Sequence, residues 1–398
     1  MTGGFPRISR PAGLRHLTLW RAIFAAVMLS GMYATYLRVM YGLAGTTNLS
    51  DRFPWGLWIG FDVMCGVGLA AGGFTLVAAV HIFNIEEYKP VLRPAILTAF
   101  LGYVLVVVGL LFDLGRPDRL WHPLVMWNPR SVMFEVAWCV TLYTTVLFLE
   151  FIPVVFEKFG WHKPMAWIHK ISVPLMIVGV LLSTLHQSSL GSLFLIVPEK
   201  LYPLWYTPIL PLLFWVSAIA VGLAMTIFES WHSSRAFGRA LELPLLASMA
   251  RVLAVLMSVY LWIRFLDMSH RHVFGLLTIN RIETWLFWLE IVLMAVPAVL
   301  LYQAKVRRQP GALYACAVMV VFGFITNRLN VGITGLEAGS GVHYFPKWSE
   351  VAVTLSIVAG GFATFRMIAQ YFPIFEAHSH EMAGSRSEEQ EEDLVEIG

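Results

Sequence analysis

Long apolar segments recur along the whole chain, and the short stretches between them carry most of the charged residues. A membrane-spanning helix needs about 20 mostly apolar residues, and ten segments reach that length. Their predicted bounds are Leu17–Leu43, Gly56–Phe83, Val91–Phe112, Ser131–Phe156, Ile168–His186, Pro208–Phe228, Leu245–Leu266, Glu283–Gln303, Ala312–Leu329 and Trp348–Phe372. Lipid offers no partner to open backbone groups, and these segments are too long for barrel strands, so all ten are predicted to be helices. The fold class is an all-α polytopic membrane protein with about ten transmembrane helices.

Composition supports this class and excludes others. Of the 398 residues, 58% are hydrophobic and only 13% are charged, whereas a soluble domain has about 25% charged residues. A secreted domain, a cytosolic enzyme and a DNA-binding protein are therefore excluded. The basic residues are scattered between apolar segments, so nucleic acid is not expected as a partner.

The charges also predict the domain organisation and the orientation. Residues 1–16 form a basic segment, 17–375 a transmembrane domain, and 376–398 a disordered tail with eight acidic residues and one basic residue. Ten spans place both termini on one side, named side A here, and the opposite side is side B. Side A loops and flanks carry 17 of the 28 Lys and Arg residues. The positive-inside rule therefore predicts a multi-pass protein of the cytoplasmic membrane with both termini in the cytoplasm.

Cysteines and histidines argue against a resident metal cofactor. Cys65, Cys139 and Cys316 lie singly in apolar segments, so disulfides, structural zinc and a chain-borne iron–sulfur cluster are not expected. A transmembrane b-type haem needs two histidines on facing helices at one depth. Only His81 and His186 fall inside the predicted spans, at opposite ends. The sequence therefore predicts no covalently bound cofactor, no metal site and no haem.

Ionisable residues inside the spans concentrate toward side B. Charges within spans are rare and usually functional. The side B set comprises Asp62, Asp113, Glu135, His186, Arg264, Asp267 and Glu290. One interpretation is structural, with buried ion pairs such as Arg264 with Asp62 or Glu290 tying helices together. The set as a whole favours a functional site for a small, partly apolar ligand, beneath long loops rich in Trp, Pro and Gly.

Two residues of this set have the clearest chemistry. Glu135 lies about one turn inside the predicted bilayer edge, where a desolvated carboxyl can exchange protons with a bound ligand. His186 opens the polar run His186–Ser192 and can donate to a carbonyl or quinone oxygen, or relay a proton. The alternatives are a helix N-terminal acid favoured by the dipole and an interfacial cap. Tyr103, Glu150 and Glu229 outline a proton route across the membrane, unless the glutamates are solvated span ends.

Seven stretches taken together resemble a known family. They are Phe53–Asp62, Gly72–Gly73, Tyr88–Pro90, Asp113–Pro117, Asn128–Glu135, His186–Leu193 and Ile227–Glu229. The set is similar to the NrfD/polysulfide reductase membrane subunit family, and most similar to its HybB branch, over about residues 50–375. The resemblance implies two four-helix bundles plus flanking helices. It also implies a menaquinone or ubiquinone site near the periplasmic face, beneath an iron–sulfur partner.

The resemblance extends to individual residues and to partners. It implies catalytic roles for Glu135, His186, Tyr103 and Glu229, and quinone binding by Asp62, Asp113, Arg116, Glu135, His186 and Gln187. Electrons would be exchanged with a periplasmic iron–sulfur or multihaem cytochrome subunit, and protons would cross through this chain. The catalytic partner would be a hydrogenase, as in the HybB branch, a multihaem cytochrome or a molybdoenzyme. The setting would be a bacterial or archaeal cytoplasmic membrane.

Two other functions are open at this stage. A standalone proton or small-solute transporter would explain buried acids on both sides, although transporters usually place their site at the midplane and only Tyr103 is predicted to be central. A passive membrane anchor would make the side B set purely structural.

Overall fold

The computed structural model describes residues 17–196 and 200–375. The predicted basic segment 1–16 and the predicted acidic tail 376–398 lie outside the described residues. Within the described ranges every regular element is helical.

Ten helices of the described chain are long and apolar enough to cross a membrane, the number that the hydrophobic pattern predicts. In chain order they are α1 (Leu17–Thr46), α2 (Trp58–His81), α3 (Lys89–Asp113), α4 (Val132–Phe159), α5 (His162–Leu193), α6 (Leu210–Phe237), α7 (Leu243–His270), α8 (Ile282–Leu300), α9 (Pro310–Ser340) and α10 (Trp348–Tyr371).

Several spans are longer than predicted, and two of them extend toward side B by seven residues or more. The prediction ends α5 at His186, but the helix continues to Leu193. It ends α9 at Leu329, but the span continues through a π-helical turn, Asn330–Thr334, to Ser340. These extensions contain polar residues that are buried against other helices. Hydrophobicity alone underestimates the length of such helices. Their terminal polar residues lower the mean hydropathy, although these residues are buried against other helices and not exposed to water.

Helix contacts divide the spans into three groups. Helices α2 to α5 pack as one four-helix bundle and α6 to α9 as a second. Helices α1 and α10 pack against each other, and α10 also contacts α3. The bundles meet where α6 packs against both α2 and α5. The arrangement expected from the resemblance, two bundles with flanking helices, is confirmed.

Glycines allow the two bundles to approach closely. Helix α2 is interrupted near Ala71, between the segments Met64–Leu69 and Gly72–His81. At this break its backbone lies against Gly222 of α6. A Cβ atom added to Gly222 would lie 2.8 Å from the carbonyl carbon of Ala71 and from the amide nitrogen of Gly72. The backbones of α2 and α6 are therefore in direct contact here, and no flexible side chain could move to make room for a larger residue.

We expect Gly222→Ala to destabilise the protein by about 1–3 kcal/mol, because overpacking against backbone forces the helices apart. The measurement is thermal unfolding of the detergent-solubilised protein. Gly360→Ala on α10 is the matched control, since no described atom lies within 4 Å of its added Cβ. Equal melting temperatures for the two variants would contradict the close α2–α6 contact.

Candidate functional site

Helix α5 presents a polar face to α3 and α4 inside the first bundle. Ser183 and His186 lie one turn apart on this face, and both are fully buried. The His186 ring packs edge-on to the ring of Tyr103 on α3, with 5.6 Å between the ring centroids. Tyr103 also meets Tyr143 of α4, at 4.7 Å between centroids. The structure thus brings the predicted residues Tyr103 and His186 together.

The ring of His186 lacks hydrogen-bond partners. Among the described residues, neither of its ring nitrogens has a hydrogen bond. The hydroxyls of Tyr103 and Ser183 lie next to each other, and Gln187 also lies next to Tyr103, but none of these contacts has full hydrogen-bond geometry. Leaving a buried polar group unsatisfied costs about 1–3 kcal/mol. Several such groups in one place are rare in folded proteins and require an explanation. Together they form a set of donors and acceptors suited to a polar ligand.

Glu135 connects this cluster to the protein surface. Its Oε1 accepts a hydrogen bond of 2.5 Å from the Ser189 hydroxyl, and Ser189 lies one turn after His186 on α5. Glu135 itself is exposed at the surface of the chain, whereas Ser189 is buried. The protein alone therefore does not enclose Glu135, and the desolvation of this carboxyl by the bilayer stays a prediction. Glu135 lies at the edge of the α4–α5 contact, with the buried polar face behind it.

Gln187 has a structural partner. Its side-chain amide donates to the backbone carbonyl of Val67 on α2, at 3.1 Å, and the residue is buried. This bond fixes α5 against the second span.

The remaining polar residues of the first bundle extend toward side A. Glu150 on α4 is largely buried, and among described residues its Oε1 has no hydrogen bond. A Cβ at Gly179 would lie 3.5 Å from that oxygen and 3.9 Å from the Tyr143 ring, so Glu150 and Tyr143 line the same contact. Glu229 lies on α6 and accepts a 2.7 Å hydrogen bond from Thr98 of α3.

Asp62 and Asp113 lie next to the flanking helices α10 and α1, and not in the cluster around His186. Asp62 is buried, and its Oδ2 accepts a 2.6 Å hydrogen bond from Thr354 of α10. Asp113 ends α3 beside Arg38 of α1, which donates to the carbonyls of the residues on either side of it. No hydrogen bond or ion pair within residues 17–196 and 200–375 links either aspartate to His186 or Glu135. Asp62 ties the first bundle to α10, whereas Oδ1 of Asp113 is buried without a hydrogen bond among the described residues. The binding of quinone by these two aspartates stays a prediction.

Glu350 completes this flanking cluster. Its carboxylate accepts hydrogen bonds from the Tyr344 hydroxyl at 2.6 Å, the Lys347 amide at 2.8 Å and the Asn48 amide at 3.1 Å. Burial raises the pKa of the Tyr344 hydroxyl, so this tyrosine remains a donor. The cluster stabilises the side B ends of α1 and α10.

Arg116 is a surface residue in this structure. It forms a two-pronged contact with Asp118, with distances of 3.0 and 2.9 Å, and both side chains are exposed. The hydrogen bond from Arg116 lowers the pKa of Asp118. The described chain does not place Arg116 against His186.

A second polar network lies at the side B end of the second bundle. Glu290 of α8 is fully buried and forms a 2.5 Å ion pair with Arg264 of α7. Its carboxylate also accepts from Trp205 at 3.0 Å, Asn327 at 2.9 Å and Asn330 at 3.0 Å. The interpretation that a buried ion pair with Arg264 ties helices together is therefore confirmed for Glu290. Within the described residues, Arg264 forms no ion pair with Asp62, which bonds to Thr354 instead.

Several residues of these clusters were not predicted. Ser183 and Tyr143 occupy the middle of apolar spans, and hydropathy does not distinguish a polar residue facing a helix from one facing lipid. Asn327 lies inside the predicted ninth span, but Asn330 lies beyond its predicted end at Leu329. The i, i+3 spacing of these two asparagines was the available signal.

Comparison with known proteins places the chain among membrane subunits of redox enzymes. The family model described as "Polysulphide reductase, NrfD" matches residues 45–338. A protein of Nitratidesulfovibrio vulgaris is 37% identical over 91% of this chain and 96% of its own length.

Two further relatives have informative names. The "Probable Ni/Fe-hydrogenase 2 b-type cytochrome subunit" of Escherichia coli is 32% identical over 92% of this chain and 94% of its own length. The "Menaquinone reductase, integral membrane subunit" of Nitratidesulfovibrio vulgaris is 28% identical, over 93% and 95% respectively. Both similarities extend over nearly the whole of each chain.

Proposed function

The chain belongs to the NrfD family, and from this premise we propose that it is the quinone-reactive membrane subunit of a respiratory redox complex. One relative is named as a menaquinone reductase subunit, which supports a quinone as the substrate. The observation that carries the proposal is the fully buried ring of His186, which packs against Tyr103 and has no hydrogen bond to either nitrogen among the described residues.

The chemistry of a quinone matches this group. Reduction to the quinol adds two electrons and two protons, and both carbonyl oxygens need hydrogen-bond donors as charge develops on them. A neutral imidazole supplies one donor and one acceptor, and a tyrosine hydroxyl supplies another donor. We assign His186 and Tyr103 to the quinone oxygens. Glu135 would exchange protons through Ser189, which it already contacts.

Electrons would come from, or go to, another subunit. The three cysteines are free and lie on three different helices, α2, α4 and α9, whereas an iron–sulfur cluster is held by four cysteine ligands. We place the electron-transfer partner, an iron–sulfur or multihaem cytochrome subunit, on side B, next to the end of the bundle that carries Glu135. A hydrogenase is the favoured catalytic partner, because one relative carries that name. Side B would then be periplasmic.

The same relative is named as a b-type cytochrome subunit, and the described residues do not fit a haem held by two facing histidines. His186 is the one buried histidine of the described ranges. The other histidines in the helices, such as His81 and His169, are exposed. No step of the proposed reaction is therefore assigned to haem.

A proton route along the first bundle would extend this function. Glu150, Tyr143, Tyr103 and His186 follow one another from the side A half toward side B, through the ring and glycine contacts described above. The unpartnered oxygen of Glu150 is the observation in favour. Glu229 with Thr98 would form its entrance at α6.

The test of the proposed function is Glu135→Gln in the intact complex reconstituted with menaquinone. We expect quinone-linked turnover to fall by at least about tenfold, because positioned proton exchange contributes about 10²–10⁴-fold. Glu283→Gln is the matched control, since Glu283 is an acidic residue at the side B start of α8 outside the assigned site. With the complex reconstituted in sealed vesicles, the change in lumen pH during turnover would measure proton transfer along the proposed route.

Unchanged quinone turnover in Glu135→Gln would contradict the assigned role. Full turnover that survives changes at both Glu135 and His186 would favour a passive anchor. Solute or proton flux by the chain alone, without quinone, would favour a transporter.

A further inference from the structure

A small cavity lies at the side B end of the second bundle, away from the proposed quinone site. The space inside it admits a single group of about the size of a water molecule. Helices α6, α7 and α9 and the segment before α6 form its walls. The lining residues that matter here are Trp205, Thr207, Phe214, Tyr260, Arg264 and Asn327.

The buried charges next to this cavity do not balance. Arg264 and Arg328 are both buried, and Arg264 is paired with Glu290. Arg328 bonds neutral acceptors: Asn327 Oδ1 at 2.7 Å, the Phe214 carbonyl at 3.1 Å and Ser217 Oγ at 2.9 Å. Two guanidinium groups therefore share one carboxylate. A buried charge without a counter-charge is costly, which favours an added anion.

The acid at the mouth of the cavity does not supply the missing charge. Asp267 lines the cavity together with Arg271, and the two form their own ion pair at 2.7 Å. Asp267 also accepts the Thr207 hydroxyl at 2.8 Å. With this pair included, the charged groups around the cavity still carry one excess positive charge.

The unused hydrogen-bonding groups are donors. Arg264 Nη1 donates to the Tyr260 hydroxyl at 2.7 Å, but Arg264 Nη2 is buried and has no partner among the described residues. Tyr260 accepts that bond, and its own hydroxyl proton meets no acceptor in the described chain. Both side chains line the cavity. Asn327 and Thr207 already donate to Glu290 and Asp267.

We propose that this cavity binds a small monovalent anion of the halide class, held by Arg264 and Tyr260. Such an ion accepts hydrogen bonds from both free donors and neutralises the excess charge shared by Arg264 and Arg328. A water molecule could accept the same bonds but would leave the charge unbalanced. The site belongs to α6–α9, whereas the proposed quinone site belongs to α2–α5, so each can fail without the other.

The test uses bromide as the probe on the purified complex that contains this chain. Crystals grown in sodium bromide should show an anomalous scattering peak between the Arg264 and Tyr260 side chains. In solution, replacing gluconate by bromide at constant ionic strength should raise the melting temperature along a saturable curve. Tyr260→Phe should weaken the apparent bromide affinity by about tenfold or more, because it removes a hydrogen bond to a charged ligand.

Tyr88→Phe is the matched control, since Tyr88 is also a buried tyrosine and its hydroxyl faces Ser248 at 3.5 Å, outside the cavity. Its bromide titration should equal that of the unmodified protein. Electron density at the site without an anomalous signal would indicate water and overturn the proposal. An identical bromide response in Tyr260→Phe would overturn it as well. Neither the anomalous peak nor the melting temperature depends on quinone turnover, so these tests are independent of the proposed function.

Discussion

Replacing His186 by leucine is expected to lower quinone-linked turnover by at least about 10²-fold while leaving the protein as stable as before, or more so. The two effects have one cause. Both ring nitrogens of His186 are buried without a partner among the described residues, so the imidazole lowers stability by about 1–3 kcal/mol relative to an apolar side chain of similar size. Its hydrogen-bonding capacity is kept for a ligand, and leucine removes it.

The measurement combines turnover of the reconstituted complex with thermal unfolding in detergent. His169→Leu is the matched control, since His169 lies on the same helix and is exposed. Its turnover should be unchanged. The contrary result would be a His186→Leu variant that unfolds. The histidine would then be a structural residue with a partner outside the described residues, and its assignment to the quinone site would be wrong.

Replacing Glu290 by glutamine is expected to have the largest effect on stability. Its carboxylate accepts from four donors, one of which is the buried Arg264 guanidinium. Removing one partner of a buried ion pair costs about 3–5 kcal/mol, because the other charge stays in the interior uncompensated. Thermal or denaturant unfolding of the solubilised protein measures this loss.

Two further variants show whether charge is the cause. The double variant Glu290→Gln with Arg264→Gln removes the paired charges. The side-chain amide at position 290 keeps one acceptor oxygen for the surrounding donors, so the double variant should recover part of the lost stability. Glu157→Gln disrupts a partly exposed ion pair with Arg93, and such pairs contribute about 1 kcal/mol or less. A Glu290→Gln loss no larger than that of Glu157→Gln would refute the role of the network.

Much of the architecture could be predicted from the sequence. The ten spans follow from length and hydrophobicity, since lipid requires each crossing segment to satisfy its own backbone. The errors concern the ends of spans. Helix α5 continues past His186 because Gln187 and Ser189 bond to other helices, and a hydropathy scale counts such residues as loop.

The candidate site could be predicted only in part. Depth along the helices selected Tyr103 and His186, whose rings are in contact in the fold. It offered Asp62 or Glu290 as the partner of Arg264, and the ion pair forms with Glu290. Depth does not say which way a side chain points around the helix axis. Asp62 therefore grouped with Glu135 in the sequence, whereas in the fold Asp62 bonds to Thr354 of α10.

The sequence by itself determined that the chain is a ten-helix membrane protein and which few polar residues lie at its side B end. Composition and spacing suffice for this, because the membrane imposes one length and one kind of backbone structure on every span. The tertiary structure decided how those polar residues divide. Packing of α2–α5, α6–α9 and α1 with α10 separates the side B charges into a cluster with unused donors at His186, a charged network at Glu290 and a flanking cluster at Glu350. Only contacts between helices distant in sequence can make that division, since each cluster joins residues from different spans.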